Sequence, residues 1–101
     1  MKILFICNQN KNRSKTAEEI FSNKFKTKSA GLFNEKPVVK KELEWADLIV
    51  VMEDFQRTEI SKRFPEQYLK KRILSLNIPD TYYYNQPELI NILNSKVKEL
   101  F

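Results

Sequence analysis

The sequence contains no histidine, one cysteine and one glycine among 101 residues. Without histidine there is no Ser-His-Asp or Cys-His pair, and a lone cysteine forms neither an intrachain disulfide nor a Cys/His zinc site. Acid–base chemistry therefore falls to carboxylates, lysines or tyrosines. The single glycine, Gly31, excludes the dinucleotide fingerprint and the Walker A loop, because each motif needs more than one. No apolar run approaches the ~20 residues that span a bilayer, so no membrane segment is expected. Lys2 is followed by a short apolar run that stops before Asn8, too short for a secretory leader, and the cytoplasm is the expected compartment.

What is present is ordinary in bulk. With 42% apolar and 31% charged residues, the composition fits a water-soluble globule, and the length leads us to expect a single domain over residues 1–101. The net charge of +5 comes mostly from lysines scattered along the chain. They form no aromatic-interleaved patch, so no nucleic-acid partner is expected.

The order of the segments is more specific. KILFIC (2–7) is a short apolar run followed by polar residues, which reads as a buried strand of a parallel sheet. Ala17, Ile20, Phe21 and Phe25 then recur at helical spacing and predict a helix over about residues 13–25. TKSAG (27–31) reads as a second strand, VVKKELEWA (38–46) as a helix and DLIVVM (47–52) as a strand. EDFQRTEISKRF (53–64) predicts a helix that Pro65 terminates, with Glu53 and Asp54 favourably placed in its first turn. KRILSL (71–76) is a further strand and NIPDTYYYNQP (77–87) a loop. Leu89, Ile92 or Leu93, Val97 and Leu100 form the stripe of a last helix. Strands alternating with helices call for an α/β fold with a parallel sheet, helices on both faces and ligands beyond the carboxyl ends of the strands. Cys7 falls at that edge.

A thiol becomes a strong nucleophile once ionised, and the amino end of a helix favours negative charge. Cys7 meets that requirement by position. A loop turning from strand into helix can gather backbone N–H groups into an anion-binding concavity. Arg13 could add a planar fork for two phosphoryl oxygens, and Ser14 a hydrogen bond to sulfur. The loop has no glycine, but Asn8, Asn10 and Asn12 alternate through it, and asparagine tolerates left-handed backbone angles best among the other residues.

Cysteine, five residues, arginine and serine between a first strand and a first helix: this resembles the signature loop of the low-molecular-weight protein tyrosine phosphatases. The likeness continues through Ala17-Glu18, Ser29-Ala30-Gly31 and Ala46-Asp47, and reaches Ile78-Pro79-Asp80-Thr81-Tyr82-Tyr83. That last stretch is similar to the family's late loop with its general-acid aspartate. The compact length looks most like a short bacterial branch of about 100 residues. The sequence departs from the family pattern at Gln9, Asn12, Lys15 and Thr81, none of which removes a reacting atom.

The resemblance implies a three-layer α/β sandwich with a four-stranded parallel sheet in the order 2-1-3-4 and a phosphate-binding loop after strand 1. It further implies a phosphomonoester hydrolase acting through a phosphocysteine on a phosphorylated protein or small aryl phosphate, with no metal or cofactor. Cys7 would be the nucleophile, Arg13 the oxyanion clamp and Asp80 the general acid. Asn8, Gln9, Asn10, Lys11, Asn12, Arg13 and Ser14 would form the phosphate loop, and Tyr82 and Tyr83 are candidate pocket walls. Alternatives left open are a non-catalytic phosphoprotein-binding module, a thiol-assisted arsenate reductase and a phosphocysteine carrier.

Overall fold

The computed structural model describes residues 1–100. The chain runs β1 (Lys2–Cys7), α1 (Arg13–Ile20), β2 (Lys26–Gly31), α2 (Lys40–Trp45), β3 (Leu48–Val51), α3 (Asp54–Arg63), α4 (Pro65–Lys70), β4 (Arg72–Ser75) and α5 (Pro87–Leu100). The four strands pair in parallel in the order β2-β1-β3-β4, as expected. β1 lies inside the sheet with neighbours on both edges. That position suits its run of five buried residues, because a strand covered on both faces has no side for polar groups.

Alternation along β1 sorts its side chains between two cores. Ile3, Phe5 and Cys7 face a cluster that includes Ala17 and Phe21 from the first crossover and Leu89, Leu93 and Val97 from α5. Leu4 and Ile6 face the other cluster, with Leu43, Ala46, Ile60 and the partly buried Trp45 and Tyr68. Thus α1 and α5 cover one face of the sheet, and α2, α3 and α4 cover the other. Among the described residues no helix is long and apolar enough to cross a membrane.

Two helix boundaries differ from the sequence expectation. The first helix ends at Ile20 rather than about residue 25, because the chain must turn back for Lys26 to pair with Lys2. Ser22 Oγ bonds the Glu19 carbonyl at 2.9 Å within that turn, and Phe21 stacks on Phe5 with ring centroids 5.8 Å apart. Pro65 closes the helix before it but also opens α4 at its first position, where the missing N–H and fixed φ suit a helix start.

Asp47 ties two strands at their amino ends. Its exposed carboxylate accepts the Lys2 amide at 2.9 Å. That bond, helped by the charges of Lys2, the amino terminus and Lys71 and opposed by some desolvation, holds Asp47 below the usual aspartate range. The folded state therefore ionises at lower pH than the unfolded chain, whose aspartates titrate near ~4. The contribution is present above that pH and is lost as pH falls through the folded-state value. Urea midpoints measured at about pH 6 and about pH 3 should fall less in Asp47→Asn than in the wild type; equal falls would contradict the assignment.

Candidate active site

β1 delivers Cys7 to the carboxyl edge of the sheet, paired with Gly31 of β2, and the next five residues climb to the start of α1. Cys7 is only 3% exposed, yet the neighbours of its sulfur are polar. Ser14 Oγ lies 2.9 Å from Sγ, and the Asn10 amide donates to Sγ at 3.2 Å. Asn10 adopts φ 55°, the left-handed angle expected somewhere in this glycine-free loop, whereas Asn12 has φ −117°. The turn at Asn10 is what aims its amide at the sulfur. Ser14 Oγ also lies 2.8 Å from Asn10 Oδ1. One hydroxyl proton serves two neighbours. Donated to Asn10, it leaves the oxygen free to accept from S–H; turned to sulfur, it stabilises the thiolate.

Arg13, the first residue of α1, is 1% exposed. Its Nη1 donates to the Glu53 carboxylate and to the Ile78 carbonyl, the latter at 2.7 Å. Its Nε lies 3.7 Å from Asp80 Oδ1 and makes no hydrogen bond. A buried guanidinium with a donor unused is a costly arrangement unless a ligand completes it. Arg13 and Asp80 line one cavity of about 70 Å³ together with Cys7, Gln9, Lys11 and Asn12. One water needs only ~10–15 Å³ of such space, so several oxygen-sized atoms fit. The cavity can hold a small oxyanion between the sulfur and the cation.

Asp80 reaches this cavity because the late loop is pinned at both ends. Ile78 is fully buried and its amide donates to the Met52 carbonyl at 2.8 Å, after a left-handed turn at Asn77. Further on, the Tyr84 amide donates to Asn12 Oδ1 at 3.1 Å and the Asn85 amide to Thr16 Oγ1 at 3.0 Å. The Tyr84 hydroxyl donates to the Glu19 carboxylate, and that bond first, with desolvation second, raises its ionisation above the usual tyrosine value. The loop is thereby strapped along α1 from its N-cap to its last turn. Tyr82 packs against the core cluster and Tyr83 is 78% exposed, so neither expected wall lines the cavity. A tyrosine ring packs on whatever apolar surface its backbone faces, and here that surface is the core.

The remaining expected loop residues divide by direction. Gln9 and Lys11 are exposed, line the cavity and also border a wider groove of about 540 Å³ with Asn34, Glu35 and Lys36. The Asn8 carboxamide points away, accepting from Gln56 Nε2 at 2.9 Å. A Cβ at Gly31 would come within 2.8 Å of the Asn34 side chain, which would have to shift to admit it. The sequence reading missed the Glu53 carboxylate, assigned only a first-turn charge, and missed Gln56 and the Ile78 carbonyl. The spacing of Glu53 and Gln56 at the start of a helix resembles a capping pair and was the one available signal.

No protein-family model matches the chain, and neither does any curated protein. Solved structures do. A low-molecular-weight protein tyrosine phosphatase from T. tengcongensis aligns over 100% of this chain and 99% of its own, with TM-score 0.79 and 21% identity. A protein tyrosine phosphatase from Entamoeba histolytica, with Hepes in its active site, aligns over 99% of this chain and 94% of its own, with TM-score 0.74 and 26% identity. A mutant of the YwlE arginine phosphatase with a phosphorylated active-site serine aligns over 99% and 95%, with TM-score 0.76 and 20% identity. This chain has their fold.

Proposed function

We propose that the chain is a cysteine-dependent phosphomonoester hydrolase whose substrate is a phosphorylated protein or a small aryl phosphate. One observation carries the reading: the lone thiol, a buried arginine with an unused donor and an aspartate line the same small cavity. Cys7 Sγ attacks phosphorus, forming a phosphorus–sulfur bond as the bond to the leaving oxygen breaks. Asp80 gives that oxygen its proton. Arg13 and the loop amides between Asn8 and Ser14 hold the equatorial oxygens, so charge that builds in transit meets donors already in place. Water then attacks phosphorus, Asp80 takes its proton, and the thiolate leaves with inorganic phosphate as product. Ser14, 2.9 Å from the sulfur, stabilises the thiolate at both ends of the cycle. The wider groove beside Gln9 and Lys11 has room for the leaving group of a protein substrate.

Support from the neighbours is consistent with this chemistry, since a phosphoryl group is found on the active-site residue of the serine-substituted arginine phosphatase. Neighbours of both substrate classes share the fold, so turnover of a phosphotyrosine peptide and a phosphoarginine peptide should be compared. We expect the aryl ester to be the better substrate; preference for phosphoarginine would reassign the substrate but keep the nucleophile. Tight binding of either peptide with no phosphate release would instead favour a binding module.

Asp80→Asn keeps the size of the side chain but can neither give nor take the proton. It should lower kcat/KM, which reports phosphoryl transfer to sulfur, by about 10²-fold at neutral pH. The loss should be smaller for p-nitrophenyl phosphate than for a phenyl ester, because the better leaving group departs without help. Equal losses for both esters would argue against Asp80 as the acid.

A further inference from the structure

Gln56 is fully buried, and a buried carboxamide is costly unless its groups are bonded. Its bonds go to both halves of the site. Oε1 accepts the amides of Met52 at 2.8 Å and Glu53 at 3.0 Å, while Nε2 donates to Asn8 Oδ1 at 2.9 Å. Met52 and Glu53 form the turn out of β3, and the Glu53 carboxylate holds Arg13. Asn8 is the first loop residue after the cysteine. Bonding to the two amides alone would serve as an ordinary helix cap for α3. The third bond, to a residue 48 positions away in sequence, has no capping purpose.

We infer that Gln56 is a positioning residue: it fixes the loop that follows Cys7 against the turn that orients Arg13, so that sulfur and guanidinium present one cradle. From the other side, the Asn8 carbonyl accepts the amides of Leu32 at 3.0 Å and Phe33 at 2.8 Å. Asn8 is thus clamped between the segment after β2 and the start of α3. A loop without glycine cannot adjust its backbone freely, and this clamp sets where its amides point. Removing Gln56 frees one side of the clamp and strands the Glu53 amide, while the Met52 amide keeps the Ile6 carbonyl at 3.2 Å.

The effect on turnover rests on the phosphatase reading, whereas the effect on the loop does not. The test therefore uses three readouts on Gln56→Leu: hydrogen exchange at the amides of residues 8–12, the dissociation constant for inorganic phosphate, and kcat/KM on p-nitrophenyl phosphate. We expect faster exchange confined to that loop and the first turn of α3. Phosphate binding should weaken by about tenfold and kcat/KM fall at least that far, with kcat lowered as well as KM raised. A lower melting temperature with loop exchange and phosphate affinity within about twofold of wild type would overturn the inference, leaving Gln56 a helix cap only.

If Gln56→Leu does not fold, Asn8→Ala decides. It removes only the acceptor across the gap and leaves both capping bonds. The same losses in loop order and phosphate affinity support the clamp, and unchanged values overturn it. A wild-type protein that hydrolyses no phosphate ester defeats the phosphatase reading alone, because loop exchange and phosphate affinity still report on Gln56.

Discussion

Cys7→Ser is expected to abolish hydrolysis of p-nitrophenyl phosphate, lowering kcat by at least about 10⁴-fold, while inorganic phosphate still binds. The reason is local. A serine hydroxyl is a weak nucleophile unless a base takes its proton, and the chain has no histidine to do so. The polar neighbours of Cys7 Sγ are the Ser14 hydroxyl and the Asn10 amide. Both can donate a hydrogen bond to the sulfur, and neither is a base for a hydroxyl. Anion binding should persist, because Arg13 and the loop amides are untouched, and the small polar replacement meets polar partners. Steady-state kinetics with a phosphate titration checks both halves. Turnover within about tenfold of wild type would mean that sulfur is not the nucleophile.

Arg13→Lys should come close to that in severity, lowering kcat/KM by about 10³-fold. A lysine keeps the charge but offers a point donor where the guanidinium presents a fixed fork. Here the fork is shared. One nitrogen serves Glu53 and Ile78, while the buried Nε, 3.7 Å from Asp80 Oδ1, makes no hydrogen bond. A single ammonium cannot hold the carboxylate, the carbonyl and a phosphoryl oxygen in those directions at once. Arg13→Ala adds a stability loss, because Glu53 and Ile78 lose their donor, and about 1 kcal/mol shifts the melting temperature of a chain this size by roughly 4–8 °C. Adding Glu53→Gln to Arg13→Ala should recover part of the melting temperature and none of the activity. Recovery of both would show that Arg13 acts through folding alone.

The site was partly legible because its chemistry is local in sequence. Cys7, Arg13 and Ser14 are joined by one loop, and a strand running into a helix constrains where such a loop can stand. The alternation of apolar strands and amphipathic helices gave the fold class for the same reason, since periodicity within a segment follows its secondary structure. The Asn10 turn followed from residue chemistry: in a glycine-free loop, an asparagine takes the left-handed angle. Failures occurred where the deciding partner is distant. Glu53 has an unremarkable place at a helix start, and only the fold brings its carboxylate to Arg13, 40 residues away. Gln56 is misleading on its own, since polar residues in exposed helices are common and nothing nearby marks this one as buried. Tyr82 and Tyr83 were expected beside the cavity because they follow Asp80, but the pinned loop carries Tyr82 to the core and Tyr83 to solvent.

By itself, the sequence determined the elements apart from α4, and which chemistry is open to the chain. Local backbone preference and apolar spacing settle the first, and the absence of histidine and of a second cysteine narrows the second. Tertiary structure decided the electrostatics. Parallel pairing of β1 with β3 brings the turn after β3 to the carboxyl edge beside the cysteine loop, and the crossing into β4 returns Ile78 and Asp80 to the same edge. A buried guanidinium must find its counter-charge and acceptors wherever the fold presents them, and those residues are scattered along the chain because parallel strands are joined by long crossovers.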